Sequence, residues 1–99
     1  MYKLLSITTD TDKKHKLVAV FENKETKRKR TVHFGQYGAD DYTLKKDVAQ
    51  RAKYLERHGR GRENWNDPVS KGSLSRFILW GDSTSIQENI KAFKKKFNL

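Results

Sequence analysis

The sequence predicts an α+β fold: a small antiparallel sheet of about three strands followed by about three helices, in a single basic domain spanning residues 1–99. Three observations carry this. Up to Phe34 the chain offers short stretches rich in aromatic, β-branched and hydroxyl side chains. Gly35-Gln36-Tyr37-Gly38 breaks that pattern, and either glycine can take the positive φ that other residues resist. Beyond Asp40 apolar residues recur three and four apart between helix caps and stops.

Taken in order, Tyr2 to Thr8 reads as a strand, and Asp10-Thr11-Asp12 supplies turn-forming side chains. His15 to Glu22 contains Leu17-Val18-Ala19-Val20-Phe21, apolar on both parities, which predicts a central strand. Asn23 to Thr26 is a polar connection, and pairing Glu22 with Lys27 sets Phe21 opposite Arg28, Ala19 opposite Arg30 and Leu17 opposite Val32. Period two then divides the third strand into Arg28, Arg30, Val32 and Phe34 on one face and Lys27, Lys29, Thr31 and His33 on the other. The second face is wholly polar and is expected to meet solvent or a ligand.

Asp40 or Asp41 is expected to cap one helix whose apolar positions are Leu44, Val48, Ala52 and Leu55, with Tyr54 beside them. Gly59, after Arg57 and His58, marks its end. Arg60-Gly61-Arg62 then forms a flexible basic loop, and Pro68 disfavours helix at Asp67. Ser73 to Trp80 spaces Leu74, Phe77 and Ile78 as a short buried helix, with Gly81 as its stop. Ser85 and Glu88 form a capping box ahead of an amphipathic helix with Ile86, Ile90, Phe93 and Phe97 on one face.

Hydrophobic and charged residues each make up 34 % of the chain, a polar balance, but 11 % aromatics suffice to nucleate a core and argue against disorder. The net charge of +10, from 22 Lys and Arg against 12 Asp and Glu, attracts polyanions and makes nucleic acid the first partner to test. Cysteine is absent, so disulfides and thiolate metal sites are excluded and an intracellular or intraviral setting fits better than a secreted one. The longest apolar run, Leu17 to Phe21, is too short for a bilayer span, and the N-terminus lacks a signal peptide's apolar segment. The protein is expected to be soluble and unprocessed, with no membrane partner.

The excess charge falls into three clusters: Lys24, Lys27, Arg28, Lys29 and Arg30; Arg51, Lys53, Arg57, Arg60 and Arg62; and Lys91, Lys94, Lys95 and Lys96. Two clusters on one face would neutralise several phosphates in a salt-dependent manner, whereas a charge run by itself is often only a solvated face. Alternation along the third strand is expected to halve the first cluster's effective charge on either face. His15, His33 and His58 fit no ligand motif, and although His15 and His33 fall on neighbouring strands (Lys16 faces His33 in the pairing above), surface or packing roles are the simpler account. No metal and no cofactor are therefore assigned. Asp40, Asp41, Asp47 and His58 could compose a hydrolytic site, but capping explains the aspartates, and no hydrolase, zincin or nucleotide-binding motif is present. Trp80 reads as core; Trp65, in a polar loop near Arg60 and Arg62, is the better candidate for contact with a partner, although an indole folded back over the core is the simpler account of it.

The segments VHFGQYGADDYT, RAKYLERHGRGRENWNDP and SLSRFILWG resemble a family of small basic proteins encoded by large double-stranded DNA viruses of amoebae and algae, including Marseillevirus-group virion proteins. The resemblance covers roughly residues 15 to 97. It transfers no activity and no site residues; what it implies is a viral genome to package, and a location in the virion and, during infection, in host-cytoplasm viral factories. The expected function is accordingly non-enzymatic: sequence-nonspecific binding of DNA through its phosphates, aiding genome packaging or condensation. Lys27, Lys29, Arg57, Arg60, Arg62, Lys91, Lys94 and Lys95 are the expected contacts. The alternative is a protein-protein module, an internal virion scaffold or host-factor-engaging protein that uses Tyr37, Trp65 and an exposed sheet edge. A homodimer suits either reading.

Overall fold

The computed structural model describes residues 2–59 and 65–99. Strands β1 (Tyr2–Thr9), β2 (His15–Asn23) and β3 (Lys29–Gln36) form an antiparallel meander in the order β1-β2-β3, with β1 and β3 as edges. The run that is apolar on both parities is the central strand, as expected, yet only one of its faces is fully covered. Ala19 and Phe21 are completely buried, whereas Val18 and Val20 are half-buried. In β1 the register shifts between Leu4 and Ser6. This bulge lets Leu4 and Ile7, three residues apart, both point toward the core and turns Leu5 outward.

The β2–β3 register differs from the sequence expectation by two residues: Glu22 pairs with Lys29, Phe21 with Arg30, Ala19 with Val32 and Leu17 with Phe34. The cause is Asn23. Its side-chain oxygen accepts from the amides of Glu25 (2.9 Å) and Thr26 (3.2 Å), and its own N–H donates to the Arg28 carbonyl at 2.8 Å, so Asn23 closes the strand instead of opening the loop. A slip of two residues keeps every side chain on its face, so the predicted inward and outward sets survive.

The single helix expected after Asp41 is two. Asp41 caps α1 (Tyr42–Lys45), Lys46 ends it in the left-handed region at φ 57°, and Asp47 then caps α2 (Val48–His58) by accepting from Ala49 (3.0 Å) and Gln50 (3.2 Å) amides. The break changes the phase of α2 relative to α1, and the predicted apolar face is overturned: Leu44 is 62 % and Val48 68 % exposed, Ala52 is exposed, and Tyr54 with half-buried Leu55 faces inward. Relief of the left-handed lysine makes a first prediction. Lys46→Gly is expected to raise stability by up to about 1 kcal/mol, read as a higher urea midpoint.

The Ser73 to Trp80 segment is helical, as its spacing predicts. α3 (Lys71–Leu74), capped by Ser70, runs directly into a π turn (Ser75–Leu79) closed by the Trp80 N–H on the Ser75 carbonyl at 3.0 Å. Leu74, Ile78 and Leu79 are buried against the sheet's covered face together with Phe93 of α4 (Ile86–Phe97). α4 starts with a relayed version of the capping box: Ser85 Oγ accepts from the Glu88 amide, but the Glu88 carboxylate accepts from Ser83 Oγ, which in turn accepts from the Ser85 amide. Buried Asn89 ties α4 to the end of the π turn by donating to the Ile78 (2.9 Å) and Ser83 (2.7 Å) carbonyls and accepting from the Ser83 amide (3.0 Å). Among the described residues no helix is long and apolar enough to cross a membrane.

Candidate nucleic-acid interface

The β2–β3 hairpin carries the first basic cluster at its tip. Lys24, Lys27, Arg28, Lys29 and Arg30 are all exposed. Val32 and Phe34 share a strand face with Arg28 and Arg30 but are buried, so the helical cover stops between Arg30 and Val32. Beyond that point the β3 side chains of both faces meet solvent, while Phe21, paired with Arg30 on β2, stays completely buried. Alternation still divides the strand's cations between its two faces, Lys29 in the row of Glu22 and Arg30 in the row of Phe21, so neither face presents the whole cluster. The outer face of the sheet is built from cross-strand rows Lys3-Glu22-Lys29, Ser6-Val20-Thr31 and Thr8-Val18-His33, a small-residue, hydroxyl-bearing surface that fits the expectation of a polar outer face.

In the second cluster the residues separate by role. Arg51 is committed internally: Nε donates to the Trp80 (3.2 Å) and Gly81 (3.0 Å) carbonyls and Nη2 to Asp82 (2.8 Å), while the guanidinium lies over the Tyr42 ring. Lys53 and Arg57 are exposed on α2. Arg57 also stands on a cleft of about 350 Å³ whose walls include Lys16 from β2, His58 from α2 and Lys71 from α3. Its floor is a stack of rings, with Tyr54 parallel to Trp80 (4.3 Å between centroids) and His58 on Tyr54's ring at the same spacing. Asp41, capping α1, is buried and neutralises Lys16, which leaves Arg57 and exposed Lys71 as the cations of the rim. Sequence reasoning missed Lys16 and Lys71, because isolated lysines far apart in the chain give no local signal. Arg60 and Arg62 lie outside the described residues.

On α4, Lys91, Lys94 and Lys95 are exposed, while Lys96 lies over the Phe77 (5.3 Å) and Phe97 (5.6 Å) rings. Lys27, Lys29, Arg57, Lys91, Lys94 and Lys95 make no ion pair with a described carboxylate; Lys16, Lys45 and Arg51 do. Exposed cations without a carboxylate partner among the described residues are available to an external anion.

Of the expected partner contacts, Tyr37 is 60 % exposed just beyond the sheet. Trp65 is half-buried instead, with Gly59 beside its ring and the Arg76 guanidinium 5.3 Å over it. It is a closing flap on the end of α2 more than an outward anchor. Gly59 has a φ of −82° that needs no glycine, but a Cβ there would lie 2.6 Å from the Leu55 carbonyl oxygen and 3.3 Å from the Trp65 ring. The residues weighed for hydrolysis are spread among structural tasks: Asp41 and Asp47 cap helices, Asp40 pairs with Lys45, and His58 stacks on Tyr54. His15 and His33, by contrast, do come together, and they do so with Asp10 and Asp12. A hydrogen bond from His15 holds the Asp12 carboxyl well below the usual carboxylate range, with the Lys14 amide adding to the effect.

Residues 5–58 match DUF5754, a family of unknown function. The match spans more than half of the chain, and the protein belongs to that family. No curated protein and no solved structure matches it.

Proposed function

We propose that this family member is a non-enzymatic nucleic-acid-binding protein that grips DNA through its phosphates without reading sequence. In the large-DNA-virus setting implied by the resemblance of its motifs, that activity would serve genome condensation or packaging in the virion and in the cytoplasmic viral factory. The observation that carries the reading is the hairpin tip. Lys27, Arg28, Lys29 and Arg30 are consecutive, exposed on both faces of the strand, and unpaired with any described carboxylate. A projecting two-stranded tip of this kind can lie along a groove or between two phosphate rows, and Arg57 and Lys71 at the cleft rim add phosphate contacts elsewhere.

The test is binding of the purified protein to a random-sequence duplex across a range of salt concentrations, with an acidic protein as control polyanion. Combined Lys27→Ala, Lys29→Ala and Arg57→Ala substitution is expected to reduce the slope of log affinity against log salt by roughly 2 to 3, since each lost phosphate contact removes about 0.9. An unchanged slope, or equal affinity for the acidic protein, would reject the assignment. The second outcome would favour a protein-protein module, for which exposed Tyr37 and the unpaired β1 and β3 edges are the available surfaces.

A further inference from the structure

The loop that joins β1 to β2 presses two aspartates and a histidine against a histidine of β3. His15 Nδ1 lies 2.8 Å from Asp12 Oδ2, and His33 Nδ1 lies 2.5 Å from Asp10 Oδ2 and 3.8 Å from Asp12 Oδ2. One ligand-type atom from each of the four residues falls within 4.8 Å of all the others.

The arrangement is built by the loop's own backbone. Asp10 Oδ1 accepts the Asp12 amide (3.0 Å), and Asp12 Oδ1 accepts the amides of Lys14 (2.8 Å) and His15 (2.9 Å). Lys13 adopts φ 60° to close the turn, and the Tyr37 N–H donates to the Lys14 carbonyl at 3.0 Å, fastening the loop to the end of β3. Each carboxylate thus spends Oδ1 on the turn and presents Oδ2 to an imidazole. The Asp10 side chain is only 5 % exposed, and among the described residues no Lys or Arg pairs with it or with Asp12. In a chain with 22 Lys and Arg, two carboxylates facing one another with only imidazoles for company leave room for a cation that the side chains do not supply.

We propose that Asp10, Asp12, His15 and His33 form a binding site for a divalent first-row transition cation, with Zn²⁺ the best match to two imidazole nitrogens and two carboxylate oxygens. Such donors suit a tetrahedral ion held at about 2.0 to 2.2 Å. The hydrogen-bonded pairs, at 2.5 and 2.8 Å, lie closer than two ligands of one tetrahedral ion and the other separations reach up to 4.8 Å, so binding replaces the protons of those bonds and side-chain rotation evens the spacing. The backbone hydrogen bonds to Oδ1 supply the outer support that fixes a ligating carboxylate. The bound ion would fasten the β1–β2 loop to β3, a strand that loop does not follow in sequence.

Sequence reading places His15 and His33 on neighbouring strands but reads Asp10 and Asp12 only as turn formers, because the Asp-x-Asp-x-x-His run is separated from His33 by most of a hairpin. The register, two residues away from the expected one, pairs His33 with Val18 and His15 with Gln36, and the two rings lie 5.5 Å apart.

The test is titration of metal-free protein with Zn²⁺ by calorimetry and with Co²⁺ by visible absorption. One equivalent per chain and the intense bands of tetrahedral Co²⁺ are expected, with His15→Ala and His33→Ala each weakening affinity at least tenfold and His58→Ala leaving it unchanged. Imidazole NMR of the unsubstituted protein gives a readout independent of any variant's folding: Zn²⁺ should shift the ring signals of His15 and His33 and leave those of His58. Absence of saturable binding, equal affinity in the His15→Ala and His33→Ala variants, or ring shifts confined to His58 would each overturn the proposal.

Discussion

Gly35→Ala is expected to destabilise the protein by roughly 2 to 5 kcal/mol, and Gly38→Ala, three residues on, by only about 1 to 2. Both glycines have positive φ, 76° and 81°, so each alanine incurs the left-handed penalty. The difference lies in what a methyl group meets. At Gly35 a Cβ would sit 2.6 Å from Leu79 Cδ1 and 3.2 Å from Lys16 Cβ, while at Gly38 nothing lies within 4 Å. Leu79 is held in the π turn between buried Ile78 and Trp80, so it cannot retreat without disturbing the core. Urea unfolding of the two variants isolates the packing contribution, because the backbone cost is common to both. Equal losses would show that the β3 end and the π turn separate easily.

Asn89→Leu should cost about 3 kcal/mol even though leucine has the same branching and favours helix. Asn89 is 2 % exposed and makes three hydrogen bonds to backbone groups, two as donor and one as acceptor. Leucine would leave the Ile78 and Ser83 carbonyls and the Ser83 amide without those partners. Gly81 compounds the effect, since the Asn89 carboxamide lies 2.7 Å from where a Gly81 Cβ would be and the gap is cut to an amide's flat outline. Equilibrium denaturation monitored by circular dichroism gives the value. A loss under about 1 kcal/mol would mean that water takes over the bonds with little penalty.

These two sites show where the sequence was informative and where it fell silent. The order of strands before helices, the central position of Leu17 to Phe21 and the amphipathic spacing of Ile86, Ile90, Phe93 and Phe97 all follow from periodicity, which is a property of neighbouring residues. The β2–β3 register did not follow, because loops at 23–26 and 24–27 are equally long and preserve the same faces; only the Asn23 side chain distinguishes them. The break at Lys46 was hidden for a similar reason. Asp47 can sit inside a helix or cap a new one, and a lysine gives no warning that it will adopt a left-handed conformation. The basic clusters were visible as composition, but Arg51's withdrawal into the Trp80 and Gly81 carbonyls, and the placing of Arg57 and Lys71 on one cleft, depend on how segments distant in the chain pack.

The shared core also dictates an order of events during synthesis. The two hairpins of the meander pair only strands adjacent in sequence, so their loops close on the microsecond scale. Yet Phe21 and Phe34 are sealed by Leu74, Ile78, Leu79 and Phe93, which all leave the ribosome later. Until then the nascent sheet carries an uncovered apolar face and two open edges, guarded by the lysines and arginines of its own tip. Like-charge repulsion between such tips opposes edge-to-edge pairing of neighbouring chains, and a ribosome pausing between α2 and α3 would lengthen the interval in which that repulsion matters.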